Sequence, residues 1–76
     1  MQNTPATFYL QDLGLLIKEE AIEAKARQVA SGDSYDSGYL MAFYGVVSLM
    51  QSQAKGFDIP LSDINLSDID PDKDLV

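Results

Sequence analysis

Apolar residues recur along the first third of the chain at helical spacing. At about 100° per residue, Leu10, Leu13, Ile17, Ala21 and Ala24 form one stripe, and Leu15, Ile22, Ala26 and Val29 form a second. Lys18 and Lys25 lie between the stripes on one side, and Asp12, Glu19, Glu20, Glu23 and Arg27 occupy the back. A surface helix packed against one neighbour needs only one apolar stripe. Two stripes ask for a second packing partner.

The ends of this helix are marked. Thr4-Pro5 supplies an N-cap oxygen followed by a residue whose missing N–H is no loss in the first turn. Ser31-Gly32 closes the segment, with Gly32 suited to a left-handed C′ position. The predicted helix 1 runs from about 5 to 30. Gly14 interrupts it at a cost of about 1 kcal/mol relative to alanine, and Glu23 and Arg27 are spaced for a small i,i+4 ion pair.

A second helix is predicted from about 34 to 55, capped by Asp33 or Ser34 and stopped at Gly56, with Phe57 as a hydrophobic clasp and Pro60 beyond. Ser37 to Ala54 contains no charged residue. Leu40, Phe43, Val46, Val47, Met50 and Tyr39 spread over half the wheel, with Ala42 and Leu49 at one margin. The opposite side carries Gly38, Gly45 and Ser52, seven residues apart, a spacing of small residues that lets another helix approach closely. The connection between the helices is a few residues long, which makes them antiparallel neighbours.

Residues 58–76 differ in character. A five-residue echo, Leu61-Ser62-Asp63-Ile64-Asn65 and then Leu66-Ser67-Asp68-Ile69-Asp70, is too short for a repeat architecture. Ser62 or Ser67 is placed to cap one helical turn. Ile59, Leu61, Ile64, Leu66 and Ile69 are expected to anchor the segment across a helix surface. From Asp70 on, the chain reads as solvated and frayed.

The fold class expected is therefore all-α. An antiparallel helical hairpin (1–57) carries a C-terminal acidic tail (58–76), and two hairpins dimerise into a four-helix bundle with helix 2 central, because one hairpin cannot cover two apolar stripes and an uncharged helix 2. Length reinforces the dimer. The chain has 76 residues, a size at which disulfides, a metal or a partner chain commonly supplement a small core. With neither Cys nor His present, the first two aids are removed.

Charge changes the picture in the tail. Residues 1–57 hold six acids and four bases, a net of −2, whereas residues 58–76 hold six acids against Lys73 alone, a net of −5, which together make the chain's −7. Direct nucleic-acid binding is disfavoured because phosphate contacts need clustered Lys and Arg, and an anionic membrane surface is disfavoured for the same reason. The uninterrupted apolar stretch of helix 2, Tyr39 to Met50, is about 12 residues where a span needs about 20. The start of the chain has no basic region followed by an apolar run. With zero Cys, this points to a cytoplasmic protein.

Candidate chemistry is sparse. Asp63-x-Asn65-x-Ser67 resembles the opening of an EF-hand loop, but the sixth position is Asp68 where such a loop needs Gly, and the twelfth is Asp74 rather than Glu. Without Cys or His no thiolate nucleophile, imidazole base or Ser-His-Asp relay can be built. The reading is of a non-enzyme with no cofactor and no metal. It is a small protein-interaction module acting as a regulator, inhibitor or accessory subunit.

The candidate interface is Leu15, Ile22 and Val29 on helix 1 with Gly38, Gly45 and Ser52 on helix 2, and Tyr35 and Tyr39 near the bend as the first place to look for an exposed recognition patch. Asp63, Asp68, Asp70, Asp72 and Asp74 form a candidate docking tail for a basic protein partner, with faster association and salt sensitivity as the consequence. An alternative is mimicry of nucleic acid, with these carboxylates occupying a phosphate-binding groove on a target. Another is a ligand carrier or enzyme subunit that uses the bundle interior.

Overall fold

A computed structural model of the chain describes residues 3–76. The described residues form an all-helical structure with two long helices, α1 (Pro5–Ser31) and α2 (Ser34–Gly56), packed against each other as a hairpin. A 3₁₀ turn (Leu61–Ile64) and a single-turn helix α3 (Pro71–Asp74) follow.

The local signals behave as their chemistry dictates. The Thr4 side chain accepts from the Thr7 N–H at 3.2 Å, with Pro5 at the first helical position. Gly32 sits at φ 64°, and its N–H donates to the Gln28 carbonyl at 2.8 Å. Asp33 caps α2 by accepting from the Asp36 N–H at 2.8 Å. The bend is stapled further by Asp36, which accepts from the Ser31 hydroxyl at 2.6 Å and pairs with Arg27 at 3.5 Å. Arg27, expected to pair along its own helix, thus reaches across the bend, where its guanidinium also lies 5.0 Å from the centroid of the Tyr39 ring.

The end of α2 departs from the sequence reading. The left-handed residue is not Gly56 but Asp58, at φ 56°. The Asp58 N–H donates to the Lys55 carbonyl at 3.1 Å and the Ile59 N–H to the Ala54 carbonyl at 2.8 Å, the bond pair of a Schellman ending. Ile59, half-buried against the core, is the clasp, while Phe57 faces solvent. A glycine search misplaces this stop because a short polar aspartate also tolerates the left-handed region, at a cost. Asp58→Gly is therefore expected to raise stability by about 0.5–1 kcal/mol, seen as a higher urea midpoint at unchanged slope.

The tail is anchored by Ile59, Leu61, Ile64, Leu66 and Ile69 as expected, and the correction concerns its last residues. The core joins Ala21 and Ala24 of α1, Leu40, Val47 and Ala54 of α2, and Ile64, Leu66, Ile69 and Leu75 of the C-terminal segment. Of its three largest fully buried side chains, Leu66, Leu75 and Val47, two come from the tail. Where fraying is expected from Asp70 on, Asp70 instead caps α3 by accepting from the Asp72 N–H at 3.0 Å, Pro71 is buried, and Leu75 is 2% exposed. The aspartates stay at the surface while the apolar positions between them turn inward.

Gly14 is the second correction. A Cβ there would stand 1.8 Å from the Ile64 carbonyl oxygen, so the missing side chain is what lets the 3₁₀ turn lie against α1. The irregular tail backbone is satisfied from the helices. The Gln51 amide donates to the Leu66 carbonyl at 3.1 Å and the Ile69 carbonyl at 2.8 Å, and the Asn65 amide donates to the Gln11 carbonyl at 2.9 Å.

Candidate interaction surface

With the tail seated on one side of the hairpin, two apolar surfaces stay open. The first is the row on α1. Leu15, Ile22 and Val29 are all exposed, and Phe8 extends the row by another seven residues. Its borders are charged, with Asp12 and Glu19 on one side and Lys18 and Lys25 on the other. Both lysines hold the tail, Lys18 through Asp68 at 3.1 Å and Lys25 through the Val76 carbonyl.

The second surface is the outer side of α2. Gly38, Gly45 and Ser52 are exposed, and nothing lies within 4 Å of where a Cβ would stand on either glycine. Around this column Tyr35 is 71% exposed, Met41 69% and Leu49 61%, with Ala42 and Val46 also at the surface. Met41 escaped the sequence reading. The signal was its position four residues before Gly45, matching Leu49 four residues after it.

The aromatic patch at the bend is partly internal. Tyr39 is half-buried, with its ring centroid 6.3 Å from Tyr35 and 5.2 Å from Phe43. It fills the seam under Arg27 and leaves Tyr35 as the open end of the ladder.

Comparison with protein-family models, curated proteins and solved structures finds no match.

The tail aspartates are fastenings within the chain. Asp68 pairs with Lys18, Asp70 caps α3, Asp72 accepts from the Tyr44 hydroxyl, and Asp74 accepts from the Asp70 N–H at 2.8 Å. Asp63 is half-buried in the 3₁₀ turn. Among the described residues no group of three Asp or Glu converges as a metal cage, and no helix is long and apolar enough to cross a membrane. Two open apolar grooves flank the tail. One, of about 280 Å³, lies along Leu40, Met41, Tyr44 and Leu75. The other, of about 300 Å³, lies along Leu10, Leu49, Met50 and Ile59.

The hydrogen bond to Asp72, and then the charge of that carboxylate, raise the Tyr44 hydroxyl above its usual ionisation range. A proton held more tightly in the folded chain stabilises it fully below the ordinary tyrosine value of about 10, and that contribution is lost as pH rises through the folded value. Phenolate absorbance should show Tyr44 ionising at lower pH in Asp72→Asn than in the parent chain. Identical curves would mean that the contact is absent in solution.

Proposed function

We propose that this chain is a small non-enzymatic protein-interaction module, a regulator, inhibitor or accessory subunit that works by offering the outer face of α2 to another helix. One observation carries the reading. A helix uncharged from Ser37 to Ala54 keeps Tyr35, Met41 and Leu49 mostly exposed even after the tail has closed the other side of the hairpin. Water-exposed apolar area of this extent on a small protein marks a surface that is covered in use. The occupant is either a second copy, giving a four-helix assembly with α2 central, or a helix of a different protein.

The absence of thiol and imidazole supports the non-enzymatic reading by removing the commonest nucleophiles and bases, and a Cys-free chain suits the cytoplasm. Recruitment of a basic partner by the tail is the weaker reading, since Asp68, Asp70, Asp72 and Asp74 are already engaged within the chain.

A photoreactive side chain placed at Leu49 is expected to capture protein in the cell of origin, whereas the same group at Glu20, on the charged back of α1, captures none. No adduct at Leu49, or equal capture at both positions, would remove the reading.

A further inference from the structure

We infer that the occupant of the α2 face is a second copy of this chain, packed antiparallel with Gly45 on the two-fold axis. The inference rests on taking that face as a docking surface.

Charge selects the partner. Each copy carries −7, so two copies repel wherever their carboxylates meet, and association requires a surface without them. The outer face of α2 is such a surface. A basic partner, in contrast, would be steered towards the acids of the tail and of α1. Asp36, in the first turn of α2, is turned to the opposite side and held by Arg27 and Ser31, so the direction is set by the helix dipoles. Antiparallel pairing opposes the two helix dipoles, whereas parallel pairing sets like ends side by side.

The face is self-complementary about its own centre. Gly45 is the midpoint of Ser34–Gly56 and is open to solvent, with nothing within 4 Å of a Cβ built on it. Full antiparallel overlap therefore places the closest approach of the two backbones where no side chain intervenes. On a helical wheel the flanks then match large to small. Leu49 lies over Ala42 of the partner subunit, Met41 over Ser48 of the partner subunit, and Gly38 opposite Ser52 of the partner subunit.

A standard interface takes about 800 Å² from each partner, roughly one sixth of the 4952 Å² that this chain exposes. A seam along α2, about 34 Å long at 1.5 Å per residue, has the exposed side chains of Tyr35, Met41, Val46 and Leu49 on its flanks to meet it.

The test uses the full chain and exploits its lack of cysteine. Under mild oxidation Gly45→Cys is expected to link to itself. Gly38→Cys alone and Ser52→Cys alone should not link, but a mixture of the two should, since antiparallel overlap brings these positions together. Light scattering is expected to give twice the 8.3 kDa chain mass for the parent, and an apparent dissociation constant weakened about 100-fold in Leu49→Lys, with far-ultraviolet circular dichroism unchanged. A monomer at every concentration, a dimer that survives Leu49→Lys, or self-linkage of Gly38→Cys would each overturn the inference. If the parent is monomeric yet the Leu49 photoprobe captures a different protein, the second copy is wrong and the docking surface stands. If it is monomeric and nothing is captured, both fall.

Discussion

Replacing Leu66 with alanine is expected to destabilise the chain by about 2–5 kcal/mol, the range for deleting a fully buried leucine side chain. Leu66 has 0% exposure and sits in the core with residues of both helices although it belongs to the tail. A 76-residue domain has a total stability of about 4–11 kcal/mol at 0.05–0.15 kcal/mol per residue. The substitution thus removes a large share of the whole. The tail is too tightly joined to the core for the effect to stay local, and the urea midpoint should fall steeply in one cooperative transition. Leu16→Ala, at a position 53% exposed, is the contrast and should lie within about 0.5 kcal/mol of the parent. A Leu66→Ala loss below 1 kcal/mol would show that the tail does not form the core in solution.

Gly14→Ala tests the same docking by sign rather than by size. In a free helix the change gains about 1 kcal/mol from propensity. With the tail seated, the new methyl meets the Ile64 carbonyl at 1.8 Å, a backbone atom that cannot swing away as a side-chain tip can. Overpacking of this kind costs about 1–3 kcal/mol, and the shift also strains the neighbouring bond from Asn65 to Gln11. Net destabilisation is expected. Gly38→Ala, where nothing in the same chain lies within 4 Å, should follow propensity alone and stabilise when measured at concentrations below dimerisation. Equal gains at the two glycines in urea unfolding would refute the contact between the 3₁₀ turn and α1.

These two results bear on function through the uncovered surface. The hairpin does hold more apolar surface than two helices can hide, and the first remedy lies within the chain, where the tail supplies four of the nine core residues. What the tail leaves open is the row Phe8–Leu15–Ile22–Val29 and the outer face of α2. The first is one residue wide between charged borders, and two copies meeting antiparallel along it would set lysines against lysines and acids against acids. The second has no such obstacle, which is why the proposed docking role is placed on α2.

The sequence by itself determined the two helices, their bend and their caps. It did so because those signals act within about four residues: Thr4 with Thr7, Gly32 with Gln28, Asp33 with Asp36. It also determined that α2 has a side free of charge, a property of composition and periodicity alone. Tertiary structure decided that the end of the acidic segment, with Pro71 and Leu75, is also part of the core, that Gly14 is a seat and not a blemish, and which apolar face is left uncovered. The tail is fixed by contacts between residues about fifty positions apart, Gly14 with Ile64, Lys18 with Asp68 and Gln11 with Asn65. No local propensity encodes such contacts. The same five-residue echo folds as a 3₁₀ turn in its first copy and as irregular chain in its second, because burial against the helices, and not the local sequence, sets its shape.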